Sequence, residues 1–209
     1  MQIVKFILAI PFGLLFFCAY SLMRATVRID PLPANTIVPA NAILFFSHTQ
    51  IYGMALSPFL KKRGAAEAFV LGYHGFLPYV WVILDHLIGL QYFLFDPASK
   101  LKPSEQVQGF LIHHPTKRFA LATDSGGPYG RVRPSLLKLS LANERPLVAM
   151  GAMFSRSIKI HQHEIPLPGA RLTFRLMDPI TPQELRSQTT EASLQKLQSV
   201  LDHVLSPPS

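Results

Sequence analysis

The feature that most constrains this chain is an apolar segment near its start, residues 6–23, which holds 18 residues and no charged side chain. As an α-helix this segment would be about 27 Å long, close to the thickness of the hydrocarbon core of a bilayer. No small-x-small cleavage pattern follows it, so we expect an uncleaved membrane anchor over residues 1–29 rather than a signal peptide. Pro11 and Gly13 leave open a kinked helix that lies in the membrane interface instead of crossing it.

The charges beside this segment indicate on which side of the membrane the rest of the chain lies. Lys5 precedes the segment, whereas Arg24 and Arg28 follow it, and this balance favours a cytoplasmic domain. The chain has one cysteine, Cys18, and it lies inside the apolar segment. No disulfide can therefore form within one chain, which fits a reducing compartment.

The charge of the whole chain points to an anionic partner. Its 209 residues include 20 Lys and Arg against 12 Asp and Glu, which gives a net charge of +8. Such an excess suits nucleic acid, anionic lipid or a phosphorylated substrate. No nucleic-acid-binding motif is recognisable, so we expect no nucleic acid partner. An anionic membrane surface is favoured, because basic residues beside an anchor gain about 1 kcal/mol each near such a surface.

After the apolar segment, strand-like and helix-like stretches alternate, which predicts an α/β domain over residues 30–205 and a short tail, 206–209. The cleanest alternation of apolar and polar residues, at 170–177, is typical of an edge strand with one exposed face. The predicted strands are 42–47, 69–71, 92–95, 119–122, 146–151 and 170–177; the predicted helices are 78–88, 104–112, 134–142 and the stretch from residue 194 onward.

Residues 119–134 form the segment in which we expect the functional site. An apolar, strand-like run ends at Asp124 and is followed by three glycines and by Arg131 and Arg133. Such a run brings a polar loop to the edge of a sheet, where backbone amides and charged side chains meet ligands.

One interpretation of this loop is a serine hydrolase. Residues 124–128 resemble the nucleophile segment of chymotrypsin-type proteases, with Ser125 as the nucleophile and with His48 and Asp85 upstream in the order that those enzymes use. Proteases of that type are usually stapled by disulfides, whereas this chain has one cysteine, and Thr123 stands where they have glycine. The sequence therefore disfavours a protease.

A second resemblance covers roughly residues 30–205. Four segments in the correct order carry it: 43–48, which ends at His48; the loop 119–134; residues 145–148; and residues 164–168 with the strand that leads to 177–180. Together they resemble the lysophospholipid acyltransferase superfamily, and in particular a bacterial branch that includes some lipid A secondary acyltransferases. The resemblance implies a mixed sheet flanked by helices, on the cytoplasmic face of a bacterial inner membrane.

The resemblance also implies a reaction. A fatty acyl group would pass from acyl-CoA or an acyl carrier protein to the hydroxyl of a membrane lipid, with no metal and no further cofactor. His48 matches the family's histidine and would act as general base, for which imidazole has a suitable pKa. Asp124 would support the base, and the developing oxyanion or the anionic group of the acceptor would be held by Gly126, Gly127, Arg131 and Arg133.

Departures from the family leave alternatives open. The superfamily carries an aspartate five residues after its histidine, and position 53 here is Gly53. Either Asp124 or Asp85 replaces that carboxylate, with Asp124 favoured, or the chain is a degenerate relative that binds lipid without turnover. His74 competes with His48 as the base.

The other histidines carry less weight. The pair at 113–114 and the run at 161–164 contain histidines that suggest metal ligands, but no matching set of side chains has suitable spacing. We therefore expect no metal site.

Overall fold

A seven-stranded sheet forms the centre of the described part of the chain, which comprises residues 2–31, 38–57, 66–73, 76–89, 91–96, 98–124 and 127–206 of a computed structural model. The strands are β1 (Arg28–Ile29), β2 (Ile43–Phe46), β3 (Ala66–Tyr73), β4 (Tyr92–Phe95), β5 (Arg118–Ala122), β6 (Leu147–Phe154), β7 (Ser157–Ile160), β8 (His163–Pro166) and β9 (Arg171–Leu176). The sheet has the order β1-β9-β6-β2-β5-β3-β4, and its neighbouring strands are parallel except β6 and β9. β7 and β8 form a separate antiparallel hairpin.

Helices cover both faces of this sheet. They are α1 (Gln2–Thr26), α2 (Ile51–Ala55), α3 (Phe76–Leu87), α4 (Pro103–His113), α5 (Pro134–Asn143), α6 (Pro182–Arg186) and α7 (Thr190–Leu205), and a 3₁₀ turn, His48–Gln50, precedes α2. The predicted fold class is confirmed: a mixed sheet flanked by helices, with an apolar N-terminal helix.

β2 illustrates why the site lies at the ends of the strands. All four of its residues are buried, as expected for a central parallel strand that reads as one apolar run. Leu44 and Phe46 pack into a core with α1, α2 and α3, whereas Ile43 and Phe45 pack into a second core with α4, α5 and α7. Because apolar side chains occupy both faces, polar groups on this strand can reach a ligand only where the strand ends.

Most predicted elements agree with the structure. The strands predicted at 42–47, 92–95, 119–122 and 170–177 are β2, β4, β5 and β9, and the helices predicted at 78–88, 104–112 and 134–142 are α3, α4 and α5. Other elements are longer than predicted. The strands predicted at 69–71 and 146–151 are the eight-residue β3 and β6. Helix α7 begins at Thr190 rather than at residue 194, because the Thr189 side chain caps it by accepting a hydrogen bond from the Ala192 N–H.

Helix α1 packs against α3 and leaves a long apolar face uncovered. A Cβ atom at Gly13 would lie 2.5 Å from Cγ2 of Ile83, so the two helices meet closely at this glycine. Phe16 meets Trp81 edge-on, with ring centroids 5.8 Å apart. Large apolar side chains that are more than half exposed follow the opposite face: Ile3, Val4, Ile7, Leu8, Leu15 and Leu22.

This helix fits the predicted anchor in length and composition. Within the described ranges it is the one helix long and apolar enough to cross a membrane, over Ile3–Thr26, and 17% of its most apolar window is buried. It continues unbroken through Pro11. Arg28 and Ile29 then form β1 and pair with β9, so the N-terminal segment joins the sheet directly. The domain boundary at residue 29 stays a prediction.

A buried cation fixes the amino ends of the central strands. Arg145 is 2% exposed. Its guanidinium donates to the main-chain carbonyls of Asn41, Leu111, His114 and Lys117 over 2.6–3.3 Å. Asn41 and Lys117 lie just before β2 and β5. Arg145, which belongs to one of the segments that carry the family resemblance, therefore braces the sheet at the end opposite the candidate site.

Candidate active site

The candidate site lies where β2 and β5 end. These strands are parallel neighbours, and Phe46 pairs with Ala122 in their register. Because parallel strands deliver their carboxyl ends to the same edge of a sheet, the residues that follow lie side by side. The structure accordingly brings His48 and Asp124 together, two residues that lie far apart in the sequence.

Asp124 is fully buried and accepts three short hydrogen bonds. Its Oδ1 accepts from the His48 main-chain N–H at 2.6 Å. Its Oδ2 accepts from the Ser47 hydroxyl at 2.6 Å and from the Gly130 main-chain N–H at 2.5 Å. A buried carboxylate needs such donors to offset its lost hydration. Asp124 thus ties the end of β2 to the loop after β5, and it bonds the main chain of His48 rather than the imidazole.

The His48 ring is partly buried between two other rings. Tyr129 stacks on it with centroids 6.2 Å apart, and His163 lies at 5.0 Å with the planes tilted by 52°. Tyr52 in turn meets His163 edge-on at 5.7 Å, and burial raises the pKa of the Tyr52 hydroxyl. Among the described atoms, Nδ1 of His48 is buried and has no hydrogen-bond partner.

The pKa of His48 is lowered from its usual value. Burial is the main cause, since it disfavours the charged imidazolium. The charge of neighbouring His163 lowers it further, while the Asp124 carboxylate acts in the opposite direction. The net effect favours neutral His48 near neutral pH, which is the form that a general base requires.

Position 53 has no room for the carboxylate that the family carries there. Gly53 lies in α2, which packs against β6, and a Cβ atom at this position would lie 2.5 Å from Cβ of Ala152 and 3.2 Å from the Phe154 ring. The buried Gln50 side chain reinforces this contact, because its Oε1 accepts from the Ala152 main-chain N–H at 3.0 Å. The glycine is therefore required by close packing in this chain.

The loop after β5 is held by polar bonds from several directions. The Gly127 N–H donates to the Asp124 carbonyl at 2.9 Å, and Gly127 has a φ of +70° that favours glycine. Arg133 is exposed and donates to the Gly127 carbonyl at 2.6 Å. Arg131 is also exposed. Gly126, Ser125 and His74 lie outside the described residues.

Gln198 of α7 is a supporting residue that the sequence does not reveal. Its Oε1 accepts from the Val132 N–H at 2.9 Å, and its Nε2 donates to the Gly130 carbonyl at 2.7 Å. A glutamine in an amphipathic helix carries no signal of such a contact. The loop is thus fastened to both the sheet edge and the C-terminal helix.

His163 also belongs to the candidate site, although the sequence groups it with histidines that suggest metal ligands. It comes from β8 of the hairpin, and it faces His48 rather than a set of metal ligands. In the described part of the chain, no group of three or more His, Cys, Asp or Glu side chains is placed to hold a metal ion. The neighbouring Glu164 is engaged otherwise, since its carboxylate accepts from the Ser157 hydroxyl at 2.6 Å.

Asp85, the other candidate substitute for the missing carboxylate, lies on α3. It is 5% exposed, burial raises its pKa to about 7, and its Oδ2 has no partner among the described atoms. The charges that shift the pKa of His48 are those of His163 and Asp124. The mostly parallel sheet also differs from the two β-barrels of chymotrypsin-type proteases. The order of His48, Asp85 and Ser125 in the sequence is therefore no evidence for a catalytic triad of that type.

The fold is shared with a solved lipid acyltransferase. A crystal structure of the 1-acyl-sn-glycerophosphate (LPA) acyltransferase PlsC from Thermotoga maritima matches with a TM-score of 0.53 at 12% sequence identity, over 98% of this chain and 81% of that chain. At this identity the likeness shows the fold alone. No family model matches the sequence, and no curated protein matches it. The narrower resemblance to lipid A acyltransferases stays a prediction.

Proposed function

We propose that this chain is a membrane-associated acyltransferase, which moves a fatty acyl group from an acyl thioester to the hydroxyl of a lipid acceptor. The observation that supports this most is the placement of His48. Its partly exposed imidazole lies at the carboxyl end of the central strand, beside a buried aspartate and a glycine loop, in a chain with the fold of a lipid acyltransferase.

In the proposed reaction His48 accepts a proton from the lipid hydroxyl and later donates it to the leaving thiolate. The lipid hydroxyl gives its proton to Nε2 of His48 as its oxygen attacks the carbonyl carbon of the thioester; Nδ1 is the buried nitrogen. The tetrahedral intermediate then collapses, the carbon–sulfur bond breaks, and the thiolate takes the proton from the imidazolium. The products are an ester and a free thiol, and no acyl-enzyme is needed. The donor is acyl-CoA or an acylated carrier protein.

The glycine loop has two parts in this proposal. Gly127, with its φ of +70°, shapes a turn in this loop, and the exposed Arg131 supplies a cation for the oxyanion or for the anionic group of the acceptor. Gly126 keeps the binding role that the sequence resemblance implies. Arg133 holds the turn through the Gly127 carbonyl. The Gly127 N–H is occupied by the Asp124 carbonyl, so Gly127 contributes conformation rather than a hydrogen bond to the substrate.

The N-terminal helix supports a membrane location. Its uncovered apolar side chains would lie in lipid, and the net charge of +8 suits an anionic leaflet. We propose the cytoplasmic face of a bacterial inner membrane, where acyl thioesters are available. A lipid that carries a free hydroxyl would then reach His48 from the membrane, while the thioester would arrive from the aqueous side.

A second candidate function is lipid binding without turnover. It is favoured by one observation: no described carboxylate bonds the His48 ring, since Gly53 replaces the family's aspartate and Asp124 bonds the main chain. Such a relative would bind anionic vesicles and leave an acyl thioester unchanged.

Replacement of His48 tests the two candidates. Purified full-length protein in detergent would be supplied with acyl-CoA or acylated carrier protein and a lysophospholipid, and free thiol and esterified lipid would be measured. His48→Ala should lower turnover by about 10²-fold or more, whereas the exposed His203→Ala should not change it. Undiminished turnover in His48→Ala would refute the assignment, and vesicle binding without any turnover by the wild type would favour the second candidate. Labelling of Ser125 by a fluorophosphonate would instead support a serine hydrolase.

A further inference from the structure

We infer that His163 is a positioning residue for His48: its ring packs on the His48 imidazole and holds it in place, in a chain that lacks the carboxylate of the superfamily it resembles. This inference rests on the proposed function of His48. It adds a residue from a different element, the β7–β8 hairpin, to the same site.

The hairpin reaches the site through one of its faces. Directly opposed residues of an antiparallel pair lie on the same face, and His163 is opposed to Ile160, whereas Glu164 is opposed to Lys159 on the other face. The ring of His163 contacts His48 at 5.0 Å and Tyr52 at 5.7 Å. His163 is thus wedged between the 3₁₀ turn that carries His48 and the short helix that follows it.

Unpaired polar atoms single out this pair of rings. The buried side-chain nitrogen or oxygen atoms without a partner in the described residues are Nδ1 of His48, Nδ1 of His163 and Oδ2 of Asp85. Such atoms are costly and rare, and two of them lie on rings in mutual contact. The other ring nitrogen of His163, Nε2, lies 3.2 Å from the amide of Gln162. This hydrogen bond holds the His163 ring in its orientation and leaves Nδ1 of His163 without a partner among the described atoms.

Ring packing replaces the orientation that a carboxylate would give. In this chain position 53 carries no carboxylate, and both Asp124 oxygens are engaged by main-chain and hydroxyl donors. The contacts that define the plane of the His48 ring are therefore Tyr129 on one side and His163 on another.

The charges around His48 have opposite effects. From the loop after β5, the Asp124 carboxylate raises the pKa of His48, and from β8 a charge on His163 lowers it. Of the residues that the structure describes, Tyr129 and Tyr52 also pack their rings on this pair, and Arg131 and Arg133 are exposed on the loop. A positive charge on His163, with its ring centroid 5.0 Å away, disfavours the charged form of His48. His163 thereby keeps His48 in the neutral form over a wider pH range.

Two substitutions separate packing from charge. His163→Phe keeps an aromatic ring and removes the charge, whereas His163→Gln removes both, and His161→Asn at the exposed turn of the same hairpin is the matched control. In the intact protein in detergent, the titration of the His48 ring would be followed by NMR, with its signal assigned by the loss of that signal in His48→Gln. We expect both His163 variants to raise the midpoint by about half a pH unit to one unit and His161→Asn to leave it unchanged.

Kinetics in the same variants test the positioning role. His163→Gln should lower kcat about tenfold with little change in KM, and His163→Phe should stay within about threefold of the wild type, because its ring still packs on His48. An unchanged His48 midpoint in both variants, or an equal loss of kcat in both, would overturn the inference. The NMR titration needs no turnover, so it tests the His48–His163 pair even if the acyltransferase proposal fails.

Discussion

The two sides of the His48 ring are built differently. On one side, both Asp124 oxygens accept hydrogen bonds, and Gln198 bonds the main chain of Gly130 and Val132. On the other, the hairpin presents His163 through ring contacts and with an unpaired buried nitrogen. Side chains whose hydrogen bonds are complete thus support this site, whereas a buried nitrogen without a described partner marks a group that a ligand can still bond. Asp124 fixes where His48 lies, whereas His48 and His163 each keep a buried Nδ1 without a partner among the described atoms, and the proposed function uses His48 alone for proton transfer.

The largest effect that tests this division is expected for Asp124→Asn. Each carboxylate oxygen now accepts a hydrogen bond from a main-chain N–H group, that of His48 or that of Gly130. In either orientation, the Asn amide nitrogen would therefore face an N–H donor that cannot turn away. We expect the free energy of unfolding to fall by about 2–4 kcal/mol. Urea unfolding followed by circular dichroism measures it, with the exposed Asp178→Asn as a control that should change it by less than about 0.5 kcal/mol. If Asp124→Asn is as stable as the wild type, Asp124 does not support the loop.

The next effect concerns the carboxylate that the family has and this chain lacks. Gly53→Asp should lower stability by about 2–3 kcal/mol, because its Cβ would lie 2.5 Å from the Ala152 Cβ and its charge would be buried. The same Asp in an Ala152→Gly background should regain part of that loss, since the clashing atom is removed. Thermal unfolding of the single and double variants gives the comparison. A stable Gly53→Asp protein with faster acyl transfer would show that this side of the site can take the family arrangement.

The sequence predicts the loop side of the site better than the hairpin side. Residues 43–46 and 119–122 are unbroken apolar runs followed by polar residues, and parallel pairing then brings His48 beside Asp124. The hairpin strands have four residues each and a mostly exposed β7, so no pattern reports that His163 packs on His48. The bond of Asp124 to the main chain of His48 depends on atomic geometry that residue types do not encode.

A smaller effect tests how far the support of the loop extends. Gln198→Leu removes the two hydrogen bonds from α7 to Gly130 and Val132 and leaves their main-chain groups less satisfied. We expect a loss of about 1–2 kcal/mol in the free energy of unfolding. Gln195→Leu, at an exposed position of the same helix, is the matched control and should stay close to the wild type. Equal effects of the two substitutions would mean that the loop is held without Gln198.

The smallest expected effect is the sharpest test of the comparison, because its sign differs between the two sides. The pKa of His48 is lowered by burial and by His163 and raised by Asp124, so activity that needs neutral His48 should be lost only below the usual imidazole range. Removing the negative charge in Asp124→Asn should move the acid limb of kcat/KM to lower pH. Removing the positive charge in His163→Gln should move it to higher pH, each by about one pH unit or less. Shifts in the same direction would mean that the two sides do not act on His48 through opposed charges. A general loosening of the site would have that result, because it would reduce the burial of His48 in both variants and move both acid limbs to higher pH.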